Sequence, residues 1–402
     1  MYAISLKGTC MRRVRMLWLL VALLMLASVA LVGCSGDTDA SDAAVTTDGA
    51  VASQTVTIGF AGPLTGDNAL YGQSMLDAAK IAVDELNASD EAKDKGITFV
   101  IKAEDDMGDP KQAVNVANTL AADQSVIALV GHFNSGCSIP ASTVYEENNL
   151  AMISVSTNPQ LTDNGLAVTN RITARDDSQG PAAAELVFNR GITKLVAVDD
   201  ATAYGQGLAD EFMKAYEELG GEVISHDRHQ PKEVDFTSLV TKISATEAQA
   251  VYYAGAHKEG AGFAKQLRDG GVSIPVIGGE MLNTPEYILL GGSGTEGDIA
   301  TNLGLPIEEQ PKGVEFLEKY RAAYNREPEL YDTYSYDSAM IIGQAVLENS
   351  DDITRVTIGN AIRNIRYDGV TGMVSFDEKG DNTQQIISAY IVTDGAWVPL
   401  KD

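Results

Sequence analysis

The sequence predicts an α/β protein built from two doubly wound parallel-sheet lobes. From Thr55 the chain alternates short β-branched runs with amphipathic stretches, which is the βαβ pattern of a parallel sheet. This pattern restarts partway along the chain, so two successive α/β units are expected. About 350 residues follow Gln54, which is too long for one ordinary core and suits two.

The elements of each unit follow from these periodicities. In the first unit, strands are predicted at residues 56–60, 98–103, 126–130 and 151–154, and helices at 71–87, 110–122 and 139–149. In the second unit, strands are predicted at residues 195–198, 223–225, 250–253 and 275–277, and helices at 179–190, 206–219, 236–245 and 258–269.

The remaining segment is less regular. Helices are predicted at residues 311–324, 333–348 and 353–364, then a hairpin through 370–376 and a last strand at 386–392. A helical block without its own strand series is expected to pack back on the first unit. The chain would then cross between the lobes several times.

The N-terminus has the features of an export signal. Arg12, Arg13 and Arg15 precede an apolar stretch at residues 16–32, and Leu-Val-Gly-Cys ends at Cys34. This ending resembles the lipobox of bacterial lipoproteins, in which the cysteine is diacylated and anchors the protein to the membrane. An uncleaved transmembrane anchor is the alternative. Both interpretations place the folded part outside the cytoplasm, with residues 1–33 as the signal peptide and 34–53 as a flexible tether.

Charge and cysteine content exclude several classes of function. The formal net charge is −27, which argues against binding to nucleic acid or to anionic lipid. Of the cysteines, Cys10 lies in or before the signal and Cys34 is the candidate lipidation site. Cys137 is therefore expected to be a small helical residue without an intrachain disulfide partner.

Motifs for catalysis or cofactor binding are weak. Residues 292–297 fit G-x-G-x-x-G, but they follow a predicted helix and lead into a strand, so a flexible loop is favoured over a phosphate site. His226 and His229 are expected to be a solvated surface pair rather than a metal site. The acids at 104–106 follow a strand, and capping of the next helix is favoured over cation binding. We therefore expect no enzyme activity, cofactor or metal.

Several segments, in order along the chain, carry a family resemblance. They include Gly62-Pro63-Leu64-Thr65-Gly66, Asp109-Pro110-Lys111-Gln112-Ala113-Val114, Thr157-Asn158-Pro159, Asp177-Ser178-Gln179-Gly180, Tyr204-Gly205-Gln206-Gly207 and Phe376-Asp377-Glu378-Lys379-Gly380. Together they resemble the leucine/isoleucine/valine-binding family of periplasmic binding proteins, the receptors of branched-chain amino acid ABC transporters.

The resemblance implies a type I periplasmic-binding-protein fold whose lobes are joined by three hinge crossings, near Ala174, Asn302 and Ile387. Lobe 1 would comprise residues 54–174 and 303–386, and lobe 2 residues 175–302 and 387–402. The family expectation for oligomeric state is a monomer.

The resemblance also implies a ligand site. Ser135, Ser156 and Thr157 match positions that hold the α-carboxylate of an amino acid, and Glu280 matches the acid that holds its ammonium group. Four aromatic residues match positions that line the cleft: Tyr71, Phe133, Tyr204 and Tyr331.

Three departures from the family pattern affect the expected site. Ala256 stands where a branched-chain receptor can carry a tyrosine, and Ser156 stands where alanine is common. These two differences put the choice among leucine, isoleucine and valine in doubt more than amino-acid binding itself. Gly108 and Asn134 replace a cysteine pair found in some members.

The leading hypothesis is an amino-acid receptor that delivers its ligand to the membrane permease of an ABC importer. A second hypothesis is a ligand-sensing subunit for a separate signalling partner, and a third is a receptor for amides, urea or other small solutes. An α/β enzyme is disfavoured because its usual nucleophile and cofactor motifs are missing.

Overall fold

The computed structural model describes residues 53–400, and its first sheet is parallel and five-stranded. The strands are β1 (Gln54–Gly62), β2 (Ile97–Asp105), β3 (Val126–Gly131), β4 (Ala151–Ser154) and β5 (Thr169–Arg171), in the order β2-β1-β3-β4-β5. The strand order reverses beside β1, because β2 and β3 pair with opposite edges of that strand. In parallel sheets, ligands bind beyond the carboxyl ends of the strands at such a reversal.

Helices cover both faces of this sheet. They are α1 (Ala69–Ala88), α2 (Asp90–Asp94), α3 (Pro110–Ala122), α4 (Ser135–Glu147) and α5 (Gln160–Asp163). On β3, Val130 packs into the core that contains α1, while Leu129 packs into the core that contains α3 and α4. This alternation buries both faces of the strand, as a parallel sheet requires.

The second sheet is seven-stranded and mostly parallel. Its first strands are β6 (Lys194–Asp199), β7 (Glu222–Arg228), β8 (Ala250–Ala254), β9 (Val276–Gly278) and β10 (Ile299–Leu303). After a separate hairpin of β11 (Arg366–Asp368) and β12 (Met373–Ser375), the chain adds β13 (Ile387–Thr393) and β14 (Ala396–Pro399) antiparallel at one edge. The order is β14-β13-β10-β9-β8-β6-β7, so the strand order reverses beside β6.

The helices of the second unit and of the later segment follow in chain order. They are α6 (Asp176–Asn189), α7 (Ala203–Glu218), α8 (Thr237–Ser244), α9 (His257–Asp269), α10 (Pro285–Gly291), α11 (Gly313–Tyr324), α12 (Asp332–Glu348) and α13 (Arg355–Arg363). Short 3₁₀ helices lie at Glu280–Leu282, Gly292–Thr295 and Ile307–Glu309.

The later helices pack on the first sheet. Helix α12 lies against α1, where the Ser335 hydroxyl donates to the Met75 carbonyl. At this contact a Cβ on Gly343 would lie 2.3 Å from a Leu86 methyl, so only glycine permits the close approach. We call β1–β5 with α1–α5 and α11–α13 the first-sheet side. The second-sheet side is β6–β10, β13 and β14 with α6–α10.

The chain passes between these sides after β5, after β10 and before β13. The lobe boundaries assigned from the resemblance lie in these three regions and stay predictions. Within residues 53–400, no helix is long and apolar enough to cross a membrane.

Several details differ from the predicted elements, and short elements such as β5 and α5 had not been predicted. The strand expected to be last is followed by β14, which pairs with it. The hairpin begins at Arg366, four residues before the predicted start. Residues 292–295 form a 3₁₀ helix rather than an irregular loop, although the motif does lead from α10 into β10 as expected.

Candidate functional site

A cavity of about 620 Å³ lies where the carboxyl ends of strands from both sheets meet. Seven of the eight predicted ligand residues line it: Phe133, Ser135, Ser156, Thr157, Tyr204, Glu280 and Tyr331. The eighth, Tyr71, lies directly behind this wall and stacks on Phe133 with the ring centroids 5.1 Å apart. The folding of the chain therefore brings the eight residues into one region.

The start of α4 supplies one part of the first-sheet side. Ser135 is the first residue of that helix and is buried. The first N–H groups of a helix have no intrahelical acceptor, and they favour a negative charge nearby. The start of α4 is therefore suited to an anionic group such as a carboxylate.

Ser156 and Thr157 differ in the availability of their hydroxyl groups. The Ser156 hydroxyl contacts those of Ser138 and Ser154 and donates to the Phe133 carbonyl at 3.1 Å. It is therefore committed to the protein interior. The Thr157 hydroxyl is buried and has no hydrogen-bond partner within residues 53–400. Of the two hydroxyls, that of Thr157 is the one available to a ligand, although it also lies near the buried carboxylate of Asp176.

A buried guanidinium holds this segment in place. Arg171 donates to the carbonyls of Ser156 and Asn158 at 3.1 and 2.8 Å, and its Nε donates to Asp381 at 2.8 Å. Burial opposes ionisation of Asp381, but the charges of Arg171 and Arg175 hold its pKa below the ordinary value. The ion pair joins the Ser156–Asn158 segment to the chain that enters β13.

Glu280 is the buried acid of the second-sheet side. Its carboxylate accepts hydrogen bonds from Gln179 Nε2 at 2.6 Å, Tyr204 Oη at 2.9 Å and Tyr331 Oη at 2.9 Å. Burial raises the pKa of Glu280, and the three bonds oppose that rise without overcoming it. Because Tyr331 precedes α12, its bond to Glu280 connects the two sides of the cleft.

An aromatic cluster forms the adjoining wall. Phe133 meets Tyr331 edge to face with the ring centroids 4.9 Å apart, and Tyr71 meets Tyr331 in the same way at 5.7 Å. Such contacts add stability beyond simple area burial. The cluster gives the cavity an apolar surface beside the polar groups of Thr157 and Glu280.

Two further residues were not found by sequence reasoning: one lies buried near Glu280, behind the cavity wall, and the other lines the cavity. Asp176, the first residue of α6, is fully buried, and neither of its carboxylate oxygens has a hydrogen-bond partner among the described residues. Burial and the nearby charge of Glu280 raise its pKa well above the ordinary value. His257, the first residue of α9, lines the cavity. Asp176 directly precedes Asp177-Ser178-Gln179-Gly180, one of the segments that carry the family resemblance, and this position could have identified it. Nothing in the local sequence identifies His257.

The preference for helix capping at residues 104–106 is wrong for two of the acids. Asp105 accepts from the Leu64 and Met107 amides at 2.9 Å and thereby holds the loop after β1. Asp106 is fully buried and contacts His132 Nδ1 at 2.6 Å. The cap of α3 is Asp109, whose side chain accepts two amide hydrogen bonds at the helix start.

The prediction of a solvated histidine pair is half wrong. His226 is partly exposed and bonds to Asp199 at 2.6 Å, but His229 is buried and stacks on Tyr253. The His229 ring lies in the interior, where its Nε2 is 3.0 Å from the Tyr253 hydroxyl. Within residues 53–400, no cluster of three or more His, Cys, Asp or Glu side chains could hold a metal ion.

Comparison with known proteins identifies the family. Residues 55–396 match the family model described as periplasmic binding protein. A "Leu/Ile/Val-binding protein homolog 1" of Brucella melitensis biotype 1 is 37% identical over 342 residues, covering 84% of this chain and 91% of that protein. An "Amino acid binding protein" of Pseudomonas aeruginosa is 36% identical, covering 84% of this chain and 89% of its own.

Solved structures show the same fold. A leucine-binding protein LivK from Thermotoga maritima superposes with a TM-score of 0.80 at 26% identity, covering 86% of this chain and 98% of its own. LivJ from Streptococcus pneumoniae, in complex with isoleucine, gives 0.77 at 25% identity, covering 86% and 100%. The type I periplasmic-binding-protein fold is thereby confirmed, and these relatives are binding proteins, not enzymes. The chain belongs to the periplasmic binding protein family, a family of extracytoplasmic receptors.

Proposed function

We propose that this protein is the substrate-binding component of an ABC importer and that it binds a branched-chain or related amino acid between two closing lobes. The observation that carries the proposal is the distribution of polar groups around one cavity. Ser135 and Thr157 line it from the first-sheet side, and the buried acid Glu280 lines it from the second. Donors on one side and a carboxylate on the other suit the zwitterion of an α-amino acid.

In the proposed binding mode, the ligand carboxylate accepts hydrogen bonds from the start of α4 at Ser135 and from the Thr157 hydroxyl. The ligand ammonium donates to Glu280. Each charge-assisted hydrogen bond to a desolvated group contributes about 1.5–3 kcal/mol. Micromolar affinity needs roughly 8 kcal/mol in total, so a few such bonds suffice.

The ligand side chain would lie against the aromatic cluster, with Tyr204 on the opposite wall. Ala256 also lines this cavity of about 620 Å³, and its methyl side chain leaves more room for a ligand than a tyrosine would. The isoleucine complex of the Streptococcus pneumoniae relative supports an aliphatic ligand as the first candidate. A longer or more polar amino acid is the next class to try.

Lobe closure couples binding to transport in this proposal. The lobes are those assigned above, residues 54–174 with 303–386 and residues 175–302 with 387–402. Because the carboxylate and ammonium sites lie on different lobes, only a ligand that reaches both stabilises the closed form. The permease would then recognise that form and accept the ligand.

A thermal-shift screen tests the proposal. The purified chain is heated with each of the twenty amino acids, with small amides, urea and short peptides. A ligand that binds the native state raises the melting temperature by mass action. We expect the largest shifts from aliphatic amino acids. Shifts from amides or urea alone would contradict the amino-acid assignment and the roles of Ser135, Thr157 and Glu280.

We further propose that Cys34 is acylated and anchors a monomeric receptor to the outer face of the cell membrane or within the periplasm. Cys34 lies outside the described residues, and the Leu-Val-Gly-Cys sequence is the support for its role. Cells that express the chain should incorporate radiolabelled palmitate into it, and Cys34→Ser should abolish the label and release the protein from membranes. Equal labelling of both forms would contradict the anchor.

A further inference from the structure

His257 joins the two sides of the cleft in a way that the proposed binding mode does not use. Its ring is fully buried at the wall of the cavity, at the first position of α9. Nε2 lies 3.0 Å from a carboxylate oxygen of Glu286, and Nδ1 lies 3.3 Å from the hydroxyl of Tyr71. The rings of His257 and Tyr71 meet edge to face, with centroids 5.5 Å apart.

The Glu286 carboxylate determines which imidazole nitrogen carries the proton. An ionised carboxylate only accepts hydrogen bonds, so the facing Nε2 must carry a proton. Burial lowers the pKa of His257, and the opposing influence of Glu286 does not reverse that shift. The ring is therefore neutral near pH 7, and its remaining nitrogen, Nδ1, is an acceptor. The neighbouring charges of Lys258 and Glu259 act in opposite directions and are smaller influences.

Tyr71 must then be the donor in the contact with His257. Its single hydroxyl proton is shared between His257 Nδ1 and a second acceptor, the Met281 carbonyl at 3.4 Å, next to Glu280 in the chain. Both acceptors belong to the second-sheet side, whereas Tyr71 lies on α1. Tyr331 is held in a similar way, because its hydroxyl donates across the cleft to Glu280. The hydroxyl ends of two neighbouring aromatic side chains are thus fixed by the opposite side of the cleft.

We propose that His257 is a positioning residue of the ligand site: Glu286 fixes its tautomer, and its Nδ1 anchors Tyr71 when the cleft is closed. The aromatic cluster then has one defined position against the ligand. This inference rests on the proposed function for its effect on ligand affinity, but the tautomer and the contact with Tyr71 are properties of the protein alone.

The first arm of the test needs no ligand. The sequence contains 4 histidines, so ¹⁵N NMR of the histidine-labelled chain gives few signals, and the signal lost in His257→Gln assigns His257. At pH 7 we expect a protonated Nε2 and an unprotonated Nδ1. Tyr71→Phe should shift the Nδ1 signal towards that of an unbonded nitrogen. A protonated Nδ1, or an Nδ1 signal indifferent to Tyr71→Phe, would overturn the inference.

The second arm measures affinity for L-leucine and L-isoleucine by calorimetry. Loss of one neutral hydrogen bond corresponds to about a three- to tenfold weakening, which we expect for Tyr71→Phe and for His257→Gln. Glutamine reaches the Nε2 position and keeps the contact with Glu286, whereas asparagine offers its amide near the Nδ1 position. His257→Asn should therefore recover part of the affinity that His257→Gln loses.

A double mutant separates positioning from general damage. If His257 acts through Tyr71, adding His257→Gln to Tyr71→Phe causes little further loss. Additive losses, or equal losses in the asparagine and glutamine variants, would overturn the inference. If the unaltered protein binds no amino acid, the proposed function fails, and the NMR arm alone decides the inference about His257.

Discussion

At the scale of single residues, the buried carboxylate of Glu280 has no positively charged hydrogen-bond partner among the residues described. Its three hydrogen-bond donors are an amide and two tyrosine hydroxyls, none of which carries positive charge. Burying a carboxylate without a counter-charge is costly, and the raised pKa of Glu280 expresses that cost. A ligand ammonium would supply the missing charge and favour the ionised form.

This reasoning predicts a pH-dependent affinity. The pKa of Glu280 is raised in the free protein, and a bound ammonium would lower it, so binding would expel a proton wherever free Glu280 is protonated. Affinity should therefore be constant above the raised pKa of Glu280 and fall as the pH drops through it. Calorimetry with the best ligand from the thermal-shift screen, over a series of pH values between about 4 and 8, measures the effect.

Two variants control for other groups that titrate in this range. Glu280→Gln keeps the shape but has no ionisable group, so its weaker affinity should vary less with pH. Glu280→Ala should bind about 100-fold or more weakly, which equals the loss of one strong charge-assisted hydrogen bond. Unchanged affinity in Glu280→Ala would remove Glu280 from the site.

At the scale of elements, the sequence predicted best where local chemistry fixes both ends. Helix α3 has its predicted bounds, because Asp109 caps its first amides and Pro110 occupies the first helical position, where no amide donor is needed. Strand β4 also has its predicted bounds. In such elements the short-range signal and the tertiary structure agree.

Some elements of three or four residues were missed, because so few residues carry no periodic pattern and these segments had no other local signal. Strand β5 and helix α5 are examples, and each owes its position to neighbours in space. Strand β5 pairs with β4 and carries Arg171, whose partner Asp381 is far away in the chain. No local pattern predicts such a pairing.

The candidate site shows the same limit. The resemblance selected seven residues that line the cavity and one behind it, but it could not give the direction of their side chains. The Ser156 hydroxyl turns inward to bond with protein atoms, and Glu280 receives a donor from the first-sheet side. Both facts depend on how distant segments meet, which a match of sequence positions does not describe.

At the scale of the whole molecule, acids dominate, and several of them are buried. Burial is the main cause that raises the pKa of Asp298 and Asp332 to about 7 and of Asp337 to about 6. Other acids, such as Asp163 and Asp381, have lowered pKa values because cations lie beside them. Acids with lowered pKa values, such as Asp163 and Asp381, change the stability of the fold only in strongly acid solution, below the ordinary carboxyl pKa.

The raised pKa values predict that stability falls as the pH rises from about 5 to 8. In this range the folded state still binds protons on Asp298, Asp332 and Asp337, whereas an unfolded chain has lost them. The unfolding free energy therefore decreases with pH until these groups ionise in the folded state as well. His257 acts in the opposite sense, because burial lowers its pKa in the folded state. Below the ordinary histidine pKa the unfolded chain therefore binds a proton that the folded protein does not, and the folded state loses stability. Asp176 and Glu280, whose pKa values are also raised, act in the same sense as the three aspartates, so the net trend should follow the acids.

The measurement is the melting temperature of the ligand-free protein against pH, with Asp332→Asn as the matched variant. One oxygen of Asp332 accepts from Ser74 and from the Glu329 amide, while the other has no partner within residues 53–400, so an amide fits with little rearrangement. We expect the unaltered protein to melt a few degrees higher at pH 5.5 than at pH 8, and Asp332→Asn to show a smaller difference. Identical pH profiles for the two proteins would mean that Asp332 is already ionised in the fold, and the stabilising group would have to be sought among Asp298 and Asp337.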